Sequence, residues 1–376
     1  MDMNCCQIYY IRGIESKIRW GGTDKNMETK IVLPVEEVGT KAWPETNFLL
    51  SVLKNFPFGW DWVLNTHIQL RCSIFYSKKW NIYDSRVTFY PYGMHDLTPN
   101  IFDMCPMLDK YVIPRKIIFE KYLSPIQFVE EAIQENYYIS TYMDQFFRKD
   151  IGRIGYHHPN YIYGFDSEAE EIYIMDNFEQ GKFQKKTISY AEFLESYNQI
   201  TGTNWEAGVF LYQLKQKEFE FTPDFVKEQI ADYLYPEKQR CYFNRMVCPK
   251  PIIDNEERYD YTNFGIHCYE FIQNFVFKNM NNEINSDIRF FCIMEDHKYL
   301  MLKRYEYMVE GGFIKENPEL YEGLKEILAA FKILTNLYLK YIVTNKKEIL
   351  PRVAERLNEL RDKDVSLLNQ FLEAII

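Results

Sequence analysis

The sequence predicts an α+β protein, with an antiparallel sheet and packed helices in its front half and a helical bundle behind. Three observations carry this. Between residues 120 and 200, short runs rich in aromatic and β-branched residues alternate with helices framed by capping signals. From about Thr222 onward apolar residues recur at helical spacing and β-branched runs thin out. At 376 residues the chain is longer than a single core usually grows, so two domains are expected. Turn and cap residues at Thr201-Gly202-Thr203-Asn204 and Thr222-Pro223 place the junction, giving domains at 1–205 and 206–376.

The first helix of interest is Glu45 to Leu53. Ser124-Pro125-Ile126-Gln127 then sets a cap serine, a proline at the first helical position and a glutamine three residues after the cap, opening a helix to about Glu135. Tyr137 to Met143 reads as a strand. Tyr161 to Phe165 and Glu171 to Met175 read as two more, joined by the polar turn Asp166 to Glu170 into a hairpin. Ser189-Tyr190-Ala191-Glu192 is a second capping box, launching a helix through Tyr197. In the back half, Gly265 to Lys278 and Ile288 to Glu310 have helical character. Asn317-Pro318 begins a long helix whose apolar face runs from Leu320 through Ile333 to Leu339, and Leu350-Pro351 begins another, striped by Val353, Leu357, Leu360, Val365, Leu368 and Phe371.

Composition excludes several function classes. A net charge of -10 with no basic block argues against nucleic acid as a partner. Met1 to Tyr10 lacks the pattern of a secretory signal, and no stretch approaches 18 uncharged apolar residues, so a cytoplasmic protein without a membrane partner is expected. Its eight cysteines are scattered, and free thiols are the default. Cys241, Cys248, His267 and Cys268 fit no common zinc spacing. His157 and His158 are adjacent on a strand and so point to opposite faces, which makes a metal site improbable.

One segment stands above this background. Gly155-Tyr156-His157-His158-Pro159-Asn160 leads into Tyr163-Gly164-Phe165-Asp166, and Ile172 to Asn177 follows across the turn. A hairpin can bring a histidine at the mouth of one strand beside an aspartate at the end of the next. His158 and Asp176 then supply a base and its orienter, the carboxylate fixing the imidazole tautomer. Each also has an ordinary explanation as a turn residue.

This run resembles the peptidase-type domain of the butirosin biosynthesis protein H family, which has a papain-like cysteine peptidase fold. The stretch with Phe264-Gly265-Ile266-His267-Cys268-Tyr269-Glu270, Asp287-Ile288-Arg289, Glu295 to Met301 and Arg304 is similar to the helical tail of many such proteins. The resemblance implies a biosynthetic accessory protein of nonribosomal-peptide type, needing no cofactor. It would move an acyl or peptidyl group from a carrier-protein thioester to a small amine by Cys-His-Asp chemistry. A noncatalytic binding or scaffold protein on the same fold, or a cysteine peptidase, are the alternatives. Members with an intact triad carry a cysteine at the start of an early helix, and Glu45 to Leu53 has none. Thr46 occupies that place, or Cys72 fills the role from elsewhere; the sequence leaves both open, as it does the packing reading of Cys72.

The remaining features have plainer readings. Trp43, Trp60 and Trp62 either flank a cleft or staple the early helices. Glu295, His297, Lys298 and Arg304, at helical spacing, read first as a solvated face with ion pairs and second as a cleft wall.

Overall fold

The computed structural model describes residues 28–77, 82–89, 101–145, 155–178, 182–201, 207–236 and 257–375. Met1 to Tyr10, the turn residues Gly202 to Asn204, and Cys5, Cys6, Cys241 and Cys248 lie outside these. Among the described residues the protein is α+β, with antiparallel sheets, eleven helices and a helical C-terminal region. It forms two compact units, each assembled from two stretches of chain: Met1–Val35 with Pro106–Gln216, and Glu36–Cys105 with Lys217–Ile376. This division differs from a single cut at residue 205. Residues 36–105 group with the C-terminal stretch because a strand there pairs with one nearly 200 residues later, a contact no local signal announces.

The first unit is a seven-stranded antiparallel sheet. Its strands are β1 (Lys30–Val32), β4 (Leu108–Pro114), β5 (Tyr137–Asp144), β6 (His157–Asp166), β7 (Glu171–Asn177), β8 (Phe183–Ser189) and β9 (Gly208–Leu214). The order is β4-β9-β5-β6-β7-β8. Strand β5 pairs with residues 157–162 of β6, and β1 pairs beyond it with residues 164–166. Helices α4 (Arg115–Lys121), α5 (Pro125–Gln134) and α6 (Tyr190–Asn198) bury Ile118, Phe128, Val129, Ile133, Phe193 and Tyr197. Both predicted helix starts form. Ser124 accepts from the Gln127 amide, but the Gln127 side chain bonds the Leu123 amide rather than that of Ser124. At Ser189 the capping box with Glu192 is reciprocal.

The second unit contains the three-stranded sheet β10-β2-β3 (Glu257–Phe264, Leu70–Ser77, Ile82–Phe89) with helices α1 (Pro44–Leu53), α2 (Gly59–Thr66) and α3 (Ile101–Met104). The rest is α7 (Pro223–Leu234), α8 (Cys268–Met280), α9 (Arg289–Glu310), α10 (Pro318–Thr344) and α11 (Leu350–Ala374). The predicted long helices are present, with one strand, β10, that helical periodicity did not announce. Asn317 caps α10 by accepting from the amides of Glu319 and Leu320. Along α10, Leu320, Leu324, Ile327, Leu328, Phe331 and Leu334 are buried, whereas Ile333 and Leu339 are exposed, so its core face is narrower than the sequence suggests. By length and composition α10 is the one described helix apolar enough to cross a membrane. The core helix of a soluble protein passes the same test.

The surface reading of α9 is overturned. Glu295, Asp296, His297, Lys298 and Arg304 are all buried. Lys298 pairs with Asp364 of α11, which also accepts from the hydroxyls of Tyr233 at 3.1 Å and Tyr269 at 3.2 Å. The ammonium lies over the Tyr233, Tyr269 and Phe331 rings and 3.1 Å from His297 Nδ1. Arg304 donates to the carbonyl of Leu64 at 2.6 Å and to Gln229 Oε1 at 3.0 Å, which ties α9 to the end of α2 and to α7. These are helix-to-helix ties, not a solvated face. Gly265 locks the junction of β10 and α8: its φ is 54°, and a Cβ there would stand 2.1 Å from the Tyr233 carbonyl oxygen. Trp43 and Trp62 are core, and Trp43 Nε1 donates to the Val87 carbonyl, so these two act as staples.

Burial of a charge without its partner is costly, so Asp364→Ala should lower unfolding free energy by about 3 to 5 kcal/mol. The double variant Lys298→Met, Asp364→Leu should recover most of that loss in urea titrations. Burial pushes the His67 imidazole down to about 3. The folded protein therefore binds this proton less readily than the unfolded chain, and the contribution is whole above about pH 6.5 and lost as pH falls towards 3. His67→Leu should flatten stability across that acid window. Asp296, pushed up to about 7 by burial, works oppositely: its contribution is full below the unfolded carboxyl value and declines as pH rises through 7.

Candidate functional site

The site is built on three adjacent strands of the first unit. Strand β5 faces β6 in the register Met143 to His158 and Thr141 to Asn160. Strand β6 faces β7 as Ile162 to Ile174 and Tyr161 to Met175, after a shift between Ile162 and Gly164 that leaves Tyr163 as an extra residue in β6. That bulge decides the site. Carried unshifted from the turn, where Asp166 faces Glu171, the pairing would set Asp176 opposite Tyr161 and on the other face from His158. With the extra residue, continuing the register one step past Tyr161 and Met175 brings Asp176 opposite Asn160, on the face it shares with His158. The bulge has its own supports. The Tyr163 carbonyl accepts from the Leu33 amide at 2.7 Å. At Gly164 a Cβ would stand 2.6 Å from the Ile31 carbonyl oxygen, so only glycine lets β1 approach there.

The result is a close pair. His158 Nδ1 lies 2.9 Å from Asp176 Oδ2 and 3.1 Å from the Pro159 carbonyl oxygen. Two acceptors facing one ring nitrogen require a proton on it, so Nδ1 donates and the lone pair falls to Nε2. Asp176 is fully buried, and its Oδ1 accepts from the Asn177 amide at 2.6 Å, which fixes the carboxylate. The His158 side chain retains 21% of its exposure, so the imidazole is held by a buried carboxylate and remains partly accessible. Tyr156 stacks on it, ring centres 5.8 Å apart. Asn160 donates to the His158 carbonyl at 3.0 Å. Such an arrangement can accept a proton from a nucleophile and hold the imidazolium against a buried carboxylate.

The third expected residue is elsewhere. Cys72 belongs to the second unit, fully buried in β2 between Val87 and Asn263. Its Sγ is 3.6 Å from the Asn263 carbonyl oxygen. The structure brings His158 and Asp176 together within the first unit; Cys72 is a thiol without surface, which has no route to a substrate. Thr46 is likewise in the second unit, buried near the start of α1. The stretch 106–216 contains no cysteine at all. Among the described residues no group of three histidine, cysteine or acidic side chains could hold a metal ion.

Sequence reasoning named His158 and Asp176 but passed over Asn160 and Gln145. Asn160 could have been found, because it sits two residues from His158 and strand alternation puts both on one face. Gln145 depends on the β5–β6 register, which carries no local signal.

If the carboxylate sets the tautomer, nitrogen-15 spectra of the protein should report His158 with its proton on Nδ1. Asp176→Ala leaves Nδ1 only the Pro159 carbonyl, so it should weaken the Nδ1–H preference and cost about 1 to 3 kcal/mol from the unpaired donors it leaves. Neither a protein-family model nor a curated protein matches this sequence.

Proposed function

We propose that this is a biosynthetic accessory protein of nonribosomal-peptide type, with a papain-like front half over residues 1–205, acting on acyl or peptidyl thioesters borne by a carrier protein. The observation that carries the reading is the 2.9 Å contact between His158 Nδ1 and the buried Asp176 carboxylate, joined to the resemblance of residues 125–200 to the butirosin biosynthesis protein H family. In this reading His158 Nε2 takes the proton from the attacking group. When an amine adds to the thioester carbonyl, the nitrogen gives its proton to Nε2, the tetrahedral intermediate collapses and the carrier thiolate leaves. A thiolate is a good leaving group and needs little acid assistance.

The position of Cys72 favours a second reading, a binding or scaffold protein that holds the thioester without turning it over. A fully buried thiol offers no covalent acyl intermediate.

Aminolysis of an acyl thioester by the full-length protein separates the two. Under the leading reading His158→Gln lowers the rate by about 100-fold to 10,000-fold, and Cys72→Ser leaves the rate unchanged. A wild-type rate equal to the uncatalysed one rejects acyl transfer and leaves the scaffold reading. Strong loss of activity in Cys72→Ser, with its fold intact, would restore the thiol as nucleophile.

A further inference from the structure

Around His158 the first unit leaves buried polar atoms without partners, and they lie on the face that carries the imidazole. Gln145 directly follows β5, and its backbone amide donates to the Tyr156 carbonyl at 3.0 Å, extending the β5–β6 ladder by one step. By alternation from Met143, which faces His158, its side chain shares the His158 face. That side chain is fully buried, yet neither Nε2 nor Oε1 has a hydrogen-bond partner. On the other flank, Asn160 is also fully buried with Oδ1 unpartnered. A buried carboxamide left with both its donor and its acceptor unmet is unfavourable; Asn47 in the second unit is another, and Gln145 differs from it in sharing a face with His158.

We infer that Gln145, with Asn160, is the recognition element for an amide group of the bound molecule, placed beside the thioester that His158 serves. This rests on the acyl-transfer reading for its thioester, and on the geometry alone for its amide. A secondary amide offers one carbonyl and one N–H. The two point to opposite sides of a trans amide, so Gln145 answers one of them, Nε2 donating to the carbonyl, while its Oε1 and Asn160 Oδ1 are left to accept N–H groups from neighbouring amides of a longer chain. The carrier arm and a peptidyl chain both supply such groups. Gln145 and Asn160 are as fully buried as Cys72, so ligand contact requires that Tyr156, opposite Gln145 on the same face and 39% exposed, swing aside. Gln145 is a binding and specificity residue, not a proton carrier.

The test uses matched probes on the full-length protein: an acyl N-acetylcysteamine thioester, which carries an amide, and the ethanethiol thioester of the same acyl group, which has none. Binding is measured by calorimetry with the unreactive thioether counterparts, and turnover by product formation. The wild type is expected to bind the amide-bearing thioether at least about tenfold more tightly, and Gln145→Met to abolish that ratio with an unchanged or raised melting temperature. Equal binding of the two probes by the wild type overturns the inference, as does a Gln145→Met protein that keeps the preference. Should Gln145→Met not fold, the wild-type ratio still decides. Amide-dependent binding without turnover upholds the inference and rejects acyl transfer. Turnover without amide preference does the reverse.

Discussion

The extra residue in β6 is the constraint on which the candidate site depends. An antiparallel hairpin running unbroken from the Asp166 to Glu171 turn would send Asp176 to the face opposite His158. Inserting Tyr163 into one strand reverses the parity of everything beyond it. The insertion is held by Leu33, the residue after β1, whose amide donates to the Tyr163 carbonyl, and by Gly164, where β1 passes too close for a side chain. A three-residue edge strand thus determines whether a base and a carboxylate meet.

Both units bury polar atoms that have no hydrogen-bond partner, Asn47 in the second and Gln145 in the first among them. In the second unit Lys298, Asp364, Tyr233 and Tyr269 form a closed set of mutual bonds, and Arg304 is spent on helix-end carbonyls and a glutamine. Ion pairs of this kind specify how helices fit; they offer little to a ligand. What distinguishes the first unit is place: Gln145 and part of Asn160 are unbonded on the face of a histidine that is oriented and partly exposed. It is this unmet capacity beside a positioned base that the proposed amide recognition draws on.

The strongest local signals led to the right elements. The serine caps at 124 and 189, the proline after Asn317 and the polar turn at 166–170 all appear where the spacing puts them. Failures came where the decision was made at a distance. Glu295, His297, Lys298 and Arg304 have the composition of a solvated helix face, and only the surrounding elements, contributed by residues from 41 to 364, bury them. Cys72 looked eligible as a nucleophile until its strand was seen between two partners in the core.

By itself the sequence determined the helix starts, the hairpin, the α+β character and the pairing of His158 with Asp176 as a candidate, since each rests on residues within about twenty positions of one another. Tertiary structure alone decided that the chain folds into two discontinuous units, that the α9 charges are interior and that Cys72 is buried. It also decided that a bulge turns Asp176 to the face of His158. The physical reason is the same throughout: propensity and capping act locally, whereas burial, strand register and face depend on which distant segment arrives as neighbour.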